Sequence, residues 1–387
     1  MLGTSSPAQE TKVFFDGTHR VRHPEQTWAT VSPLLAEFGI TRVADVTGLD
    51  TLGIPVAMAV RPLAKSLSVS QGKGQSKLLA TISAVMEAIE LWHAEYAPKP
   101  IISRQTPANK LSLPYRLTDL TSANDALVTE STRLDWVESA GMVSGRTVPV
   151  PSMLVSWTGY HEHRWLPPGL LWSSNGLASG NSRQEASLHA LYEVVERDAV
   201  SQESSSIPSD LLDPASVDDR TCADLIDKVQ SAGAALTISR VPSRFGIPCF
   251  GAKVWDADFP VACLGWGAHL DPYVAISRAV TEAVQSRLTA IAGSRDDLPP
   301  IYQQVRAGSG EVTKSAGPLA QLSDLLPDGP GAFHDVTSEL AWVCERIQHG
   351  GGAEPLLVDL TTAAEFAVVK VILPGANLDI ERVHPRR

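Results

Sequence analysis

Ser70-Gln-Gly-Lys-Gly74, followed by Ser83-Ala-Val-Met-Glu-Ala-Ile-Glu90, sets the terms for the whole chain. The first stretch, taken as 66–74, reads as a polar, glycine-containing turn. It opens into a helix expected over 76–96. Ala84, Val85, Met86, Ala88 and Ile89 make that helix apolar on most sides, so it should be buried. Glu87 and Glu90 are nevertheless three residues apart, which places both carboxylates on one side of it.

The same construction occurs twice more. Ser174-Asn-Gly-Leu-Ala-Ser-Gly-Asn181 reads as a second polar loop, opening into a helix over 183–202 that carries Glu185, Glu193, Glu196 and Arg197. At about 100° per residue, Glu185 and Glu196 lie roughly 20° apart around the axis and Glu193 roughly 80° from Glu185. All three share one flank, with Arg197 at its edge. A third long helix, expected over 273–292, contains Arg278-Ala-Val-Thr-Glu-Ala-Val-Gln-Ser-Arg287 and presents Glu282 and Gln285 on one side.

Like charges in apolar surroundings repel and are costly to bury. Hard cations offset that cost. Mg2+ prefers carboxylate oxygens and keeps phosphate or water as its remaining ligands. Several such ions would in turn hold a polyphosphate. Ordinary solvated helix faces would explain one such helix. They explain three poorly, because these stretches hold few lysines to pair with the acids. The glycine turns before the helices could present backbone N–H groups to anions. Neither has the spacing of a P-loop, and each alone is more often a plain turn.

Around these motifs the chain has an α/β texture. A helix is expected over 25–38, strands over 41–46 and 55–60, and short alternating runs over 127–157. A helix over 219–232 precedes strands over 235–241, 247–255 and 260–267. Residues 293–332, rich in Gly, Pro, Asp and Ser, read as an insertion. A helix over 338–349 and strands over 355–359 and 366–373 close the chain. No repeat or composition break divides it. One unit over 13–387 with several interlocked subdomains is expected, preceded by a disordered tail over 1–12.

The 387 residues carry a net charge of −11 and are 43% hydrophobic. A sizeable core is possible, and nucleic-acid binding is disfavoured because phosphate backbones need clustered Lys and Arg. The four cysteines, Cys222, Cys249, Cys263 and Cys344, form no CxxC pair and read as inert buried thiols. The first residues lack an apolar signal core, and no apolar run is long enough to span a bilayer. A cytoplasmic protein without membrane contact is expected.

Taken together, these motifs resemble the YcaO family. The stretches 70–74 with 83–90, 175–181 with Glu185 and Glu193 to Arg197, and 278–287 running on to Gly293-Ser-Arg-Asp-Asp297 are similar to its three ATP motifs. Val368-Val-Lys-Val-Ile-Leu-Pro-Gly375 is similar to its late strand. The resemblance covers roughly residues 15–375. It implies a YcaO-type ATP-binding fold, α/β with mixed sheets and long buried helices, and ATP and Mg2+ as cofactors. The implied chemistry is O-phosphorylation of a peptide backbone amide, followed by nucleophilic substitution. Glu87, Glu90, Glu193 and Glu196 are the implied Mg2+ ligands. Lys73, Asn181, Glu185, Arg197, Glu282, Gln285 and Arg287 are implied nucleotide contacts, with Arg20 and Thr27 matched by position near the N-terminus. Arg197 and Arg287 are the implied stabilisers of charge on the transferred phosphoryl group.

Two departures bear on the product. Many relatives have Glu-Arg where this chain has Glu90-Leu91, and the end His384-Pro-Arg-Arg387 is not the proline-rich tail of many azoline-forming members. The third-helix pattern is most similar to members paired with a TfuA protein. Thioamide formation is therefore expected, with an azoline-forming cyclodehydratase as the alternative. A peptide substrate, a TfuA-like or leader-binding partner protein and a homodimer are the implied partners. A non-catalytic nucleotide-binding scaffold would be free to lose the motif glutamates, which this chain keeps. A metal-dependent hydrolase would leave Arg197 and Arg287 unexplained. His161 and His163 read as exposed strand histidines rather than metal ligands, and Arg295 as a solvated turn or cap. His189 reads as a partner of the site or a satisfied buried histidine.

Overall fold

The computed structural model describes residues 10–15, 17–120, 127–157, 170, 172–202, 210–295, 318–327 and 329–377. Four sheets organise them. A small antiparallel ribbon joins β1 (Val13–Phe15) to β2 (Thr18–Arg20). A three-stranded antiparallel sheet runs β3 (Arg42–Asp45), β4 (Val56–Val60), β5 (Val69–Lys73). A six-stranded sheet has the order β6 (Ile101–Pro107), β7 (Arg133–Gly141), β15 (Leu356–Asp359), β16 (Ala367–Ile372), β9 (Leu177–Gly180), with β8 (Thr147–Pro151) also on β7. A five-stranded sheet runs β13 (Cys263–Ala268), β12 (Cys249–Trp255), β11 (Ala235–Arg240), β10 (Leu211–Leu212), β14 (Leu319–Ala320).

Each larger sheet carries one long helix. Helix α2 (Lys77–Tyr96) lies on β4 and β5, α4 (Arg183–Gln202) on β9 and β16, and α6 (Pro272–Ala292) on β12 and β13. Shorter helices complete the body: α1 (Pro24–Val31), α3 (Ser152–Val155), α5 (Arg220–Ser231) and, near the end, Val336–His349. The α4 core takes in Cys249 and Ala268 from the five-stranded sheet, and the α2 core takes in Leu177 and Val368 from the six-stranded one. The subdomains therefore interlock through shared side chains.

The three long helices fall within a residue of their expected bounds. Other expectations differ. The helix expected over 25–38 ends at Val31 and continues only as a 3-10 turn, Ser32–Leu34, because Pro33 supplies no N–H to an α-helical bond. The stretches 66–74 and 174–181, read as loops, contain β5 and β9. Their small residues are there for contact. A Cβ on Gly72 would collide with the carbonyl oxygen of Ala80 and the amide nitrogen of Ala84, and one on Gly265 with those of Ala279 and Ala283. Strand and helix backbones touch directly at these points, which only glycine against alanine permits.

Glu10, Thr11 and Lys12 also differ from the expected tail. Lys12 is buried and ion-paired to Glu339, Thr11 bridges Asp335, and the Glu10 carbonyl accepts from the Val336 N–H. These residues close over the helix Val336–His349. His161, His163 and residues 378–387, which include the C-terminal Pro385, lie outside the described residues. No helix among the described residues is long and apolar enough to cross a membrane.

Candidate active site

The packing of α2, α4 and α6 on neighbouring sheets turns their acidic flanks toward one another. From α2 come Glu87 and Glu90; from α4, Glu193, Glu196 and Arg197; from α6, Arg278, Glu282 and Gln285. Lys73 enters from the end of β5, and its ammonium pairs with Glu282. The Arg197 guanidinium stands 3.8 Å from both Glu196 and Glu282. Gln285 donates to the Gln71 carbonyl at 3.2 Å.

A second set adjoins it around Glu185, which is 5% exposed. The Asn181 backbone N–H and side-chain Nδ2 each donate to Glu185 Oε1 at 3.1 Å. Val21 N–H donates to Oε2 at 2.7 Å, and Arg20 Nε lies 3.7 Å from Oε1. Thr27 Oγ1 donates to Asn181 Oδ1 at 2.8 Å. Thr27, Asn181 and Glu185, far apart in sequence, thus form one hydrogen-bonded group, to which Arg20 adds an ion pair.

The electrostatics of the carboxylates are unusual. Burial pushes Glu87 up to about 7, against the pull of Arg295 and Lys73. Burial pushes Glu90 up to about 8, although Ser179 N–H and Oγ donate to it at 2.7 and 2.6 Å; Glu87 and Glu193 add repulsion. Glu193 is pushed up to about 7 by burial, with Arg197 opposing and Glu196 reinforcing. Glu196 is raised by burial and by Glu282. Glu282 alone is lowered: burial opposes this, and Lys73 and Arg197 outweigh it. Glu87, Glu90 and Glu193 keep partial surface exposure. They are surrounded by protein on most sides yet reachable.

Such a donor set suits a divalent cation shared with an entering ligand. Among the described residues, no three His, Cys, Asp or Glu side chains close on one point. Among them, no all-protein cage is built. Mg2+ commonly takes one or two carboxylates and completes its shell with phosphates and water. Acids that resist ionisation until a cation arrives, beside Lys73, Arg197 and Arg278, fit both metal and polyphosphate. A cavity of about 350 Å3, lined by Lys12, His19, His269, Asp271, Phe333 and Glu339 among others, includes none of these carboxylates.

The family profile described as YcaO cyclodehydratase, ATP- and Mg2+-binding, matches residues 71–377. The chain belongs to the YcaO family. A protein of Mycobacterium tuberculosis is 38% identical over 385 residues, 98% of this chain and 86% of that one. A protein encoded in the tfuA 3′ region of Rhizobium leguminosarum bv. trifolii is 37% identical over 92% of this chain and 88% of its own. The structure of YcaO from Methanopyrus kandleri bound with AMPPCP and Mg2+ superposes with a TM-score of 0.75 at 25% identity, covering 96% of this chain and 97% of that one. That structure agrees with the expected fold, and the family's description with ATP and Mg2+ as cofactors.

One expected residue stands apart in this YcaO chain. Arg287 is 3% exposed; its guanidinium pairs with Asp50 at 2.8 Å and Asp256 at 2.7 Å and lies over the Phe259 ring. The structure therefore does not bring it to the carboxylates. Five residues beyond Glu282, it is turned roughly 140° around the helix axis. Other groups at the site were given no role from sequence: Ser179, Arg278 and Lys370. Lys370 sits in a strand whose six residues are all buried, donates to the carbonyls of Ser173 and Asn175 and is lowered to about 8 by burial, with Glu193 opposing. A lysine inside Ala367–Ile372 was the available signal. Arg295, read as a turn or cap, lies close enough to Glu87 to pull its carboxyl down.

Proposed function

We propose that this YcaO protein uses Mg2+–ATP to phosphorylate a peptide backbone amide, most specifically to form a thioamide. The observation that carries the reading is the convergence of Glu87, Glu90, Glu193 and Glu196 from two facing helices beside Lys73, Arg197 and Glu282. The four glutamates would hold Mg2+, and Lys73, Arg197, Asn181, Glu185, Arg20 and Thr27 would contact or frame the nucleotide. Gln285 and Glu282 would support it from α6.

In the proposed step the amide oxygen attacks the γ-phosphorus, an O–P bond forms and ADP leaves. A sulfur nucleophile then adds to the amide carbon. The carbon–oxygen bond breaks, phosphate departs with the former amide oxygen, and the sulfur's proton goes to solvent or phosphate. Phosphoryl transfer of this kind depends mainly on positioning and charge stabilisation. The likeness to a protein encoded beside tfuA supports the sulfur donor and a TfuA-like partner that helps deliver peptide. We further propose a homodimer acting in the cytoplasm, where ATP is supplied. The second reading is azoline formation, favoured by the family's description as a cyclodehydratase.

Incubation with peptide, ATP, Mg2+, sulfide and the partner separates the two. A mass gain of one oxygen-for-sulfur exchange, with one ADP and one phosphate released, supports the thioamide reading. Loss of one water without a sulfide requirement overturns it in favour of azoline formation.

A further inference from the structure

His19 and Arg20 are successive residues of β2, and successive side chains of a strand point to opposite faces. Arg20 turns to Glu185 in the group beside the carboxylates, whereas His19 lines the cavity of about 350 Å3. Much of that lining is apolar: Leu270, Pro272, Tyr273, Leu326, Pro327 and Phe333. The polar part is Lys12, His269, Asp271 and Glu339 beside His19. The volume falls at the low end of the roughly 300–1,000 Å3 of small-molecule sites, which suits one large side chain rather than a nucleotide.

Most of the polar groups are already matched. Lys12 and Glu339, both buried, pair with each other, and Tyr192 Oη donates to Glu339 Oε1 at 2.5 Å. Asp271 caps α6, accepting from the Tyr273 N–H at 2.9 Å. The Asp271 N–H donates to His269 Nδ1 at 2.9 Å, so that ring carries its proton on Nε2, 3.7 Å from Glu339 Oε1. Burial holds both imidazoles neutral: it outweighs the pull of Asp271 on His19, and the charges of Lys12 and Arg20 reinforce it at both rings. What remains unmatched is an acceptor. His19 Nε2 lies 3.5 Å from Asp271 Oδ2; with its proton on that side, Nδ1 is left as a bare lone pair. Nδ1 is buried and has no hydrogen-bond partner among the described residues, in a side chain only 10% exposed. T-shaped contacts with Phe14 at 4.6 Å and His269 at 5.3 Å hold the ring in place. A buried acceptor left unmet costs on the order of 1–3 kcal/mol.

We propose that this cavity takes an aromatic side chain bearing an N–H or O–H, a tryptophan or tyrosine of the peptide substrate, which donates its hydrogen to His19 Nδ1. The inference rests on the peptide-modifying reading above and names a side chain of that peptide. The lining disfavours the alternatives. An anion would find no unpaired cation, since Lys12 is committed to Glu339. A cation would meet Asp271 but also Lys12, while Arg20 and Arg278 bear on the same imidazoles. An aliphatic side chain would fit the apolar lining and leave His19 Nδ1 unmet. An aromatic ring can pack against Tyr273 and Phe333 and still carry a donor at its tip. Asp271 precedes Glu282 by three turns of α6, about 16 Å. An extended chain covers that in about five residues. The anchored side chain therefore belongs about five residues from the amide presented for phosphorylation.

Saturation-transfer NMR titrations of the full chain test this with 3-methylindole, which is the tryptophan side chain, and 1,3-dimethylindole, which keeps the rings but has no N–H. Unfolding midpoints confirm that each variant is folded. The parent is expected to bind 3-methylindole about three- to ten-fold tighter, the worth of one hydrogen bond. His19→Phe, which keeps a ring against Phe14, should bring the two Kd values within about two-fold of each other; a merely structural histidine would leave their ratio unchanged. Ala332→Trp, which puts an indole into the lining, should abolish binding of both. The peptide acetyl-Gly-Gly-Trp-Gly-Gly-amide should displace 3-methylindole from the parent. The inference is overturned if neither indole binds, if the parent binds both equally, or if Ala332→Trp binds them as the parent does. If the indole binds but the peptide does not displace it, the cavity serves a free small molecule and its assignment to the substrate falls. A parallel titration with Mg2+–AMPPCP keeps the ATP reading separate. Nucleotide binding without indole binding sinks this inference alone. Indole and peptide binding without nucleotide binding sinks the ATP reading and leaves the aromatic site standing.

Discussion

Replacing Glu90 with Gln separates two states of the same side chain. Burial and the neighbouring Glu87 and Glu193 push the Glu90 carboxyl up to about 8. At pH 7 the free protein therefore keeps it about nine-tenths protonated, and ionising it costs about 1.4 kcal/mol for that one unit. Glutamine is close to an isostere of the protonated acid, and its Oε1 can still accept from Ser179 N–H and Oγ. The ligand-free Glu90→Gln protein should thus lose no more than about 1 kcal/mol of stability, against the 1.5–3 kcal/mol typical of hydrogen bonds to a charged group. Mg2+–nucleotide binding needs the ionised form, so it should weaken at least about 100-fold, on the order of 3 kcal/mol. In the parent, binding should release on the order of one to two protons at pH 7, drawn from Glu90, Glu87 and Glu193. Calorimetry in buffers of different ionisation enthalpy counts those protons, and denaturant unfolding gives the stability. A binding heat independent of buffer, or a ligand-free variant destabilised by about 3 kcal/mol, would refute the reasoning.

Three other outcomes follow from the same structure. Because the folded state raises the pKa of Glu87, Glu90 and Glu193, it favours their neutral forms; the stability this contributes is complete below about pH 4.5 and lost as pH rises through 7 to 8. The ligand-free melting temperature should fall between about pH 6.5 and 8, above the range in which the neutral buried His19, His93, His189 and His269 add stability as pH rises, and Mg2+–AMPPCP should flatten that fall, as scanning fluorimetry would show; a melting temperature that climbs across this window contradicts it. Arg287→Met strands Asp50 and Asp256 and should cost about 3–5 kcal/mol of stability while leaving the nucleotide Kd of the folded protein within about two-fold; a Kd loss without destabilisation would return Arg287 to the site. Gly72→Ala forces β5 away from the α2 backbone at Ala80 and Ala84 and should cost about 3 kcal/mol in denaturant melts, whereas Gly145→Ala, where nothing lies within 4 Å, should cost less despite its φ of 66°.

Much of this site was legible in the amino-acid order. Helical spacing alone put Glu87 beside Glu90 and set Glu185, Glu193 and Glu196 on one flank of α4, because a buried helix has a fixed period and an acid within it stands out. The strands leading into those helices were not legible. Ser70, Gln71 and Gly72 are buried in β5, yet small and polar residues carry no alternating apolar pattern; their burial comes from pairing with β4 and from direct backbone contact with α2. Arg278 could have been preferred over Arg287 on spacing, since it lies four residues from Glu282 and roughly 40° from it around the axis. The Arg20–Glu185 and Thr27–Asn181 contacts span some 160 residues and depend on where the N-terminal ribbon docks, which no local pattern encodes.

The central claim is that carboxylates on α2 and α4 hold the metal on which a nucleotide rests. Crystals grown with AMPPCP and Mn2+ in place of Mg2+ test it most directly, because Mn2+ scatters anomalously and its position can be read without reference to the fold. The account predicts anomalous peaks between phosphate oxygens and Glu87, Glu90, Glu193 and Glu196, with the triphosphate lying toward Lys73, Arg197 and Arg278. Well-defined nucleotide elsewhere on the molecule, or manganese bound away from these four glutamates, would contradict it.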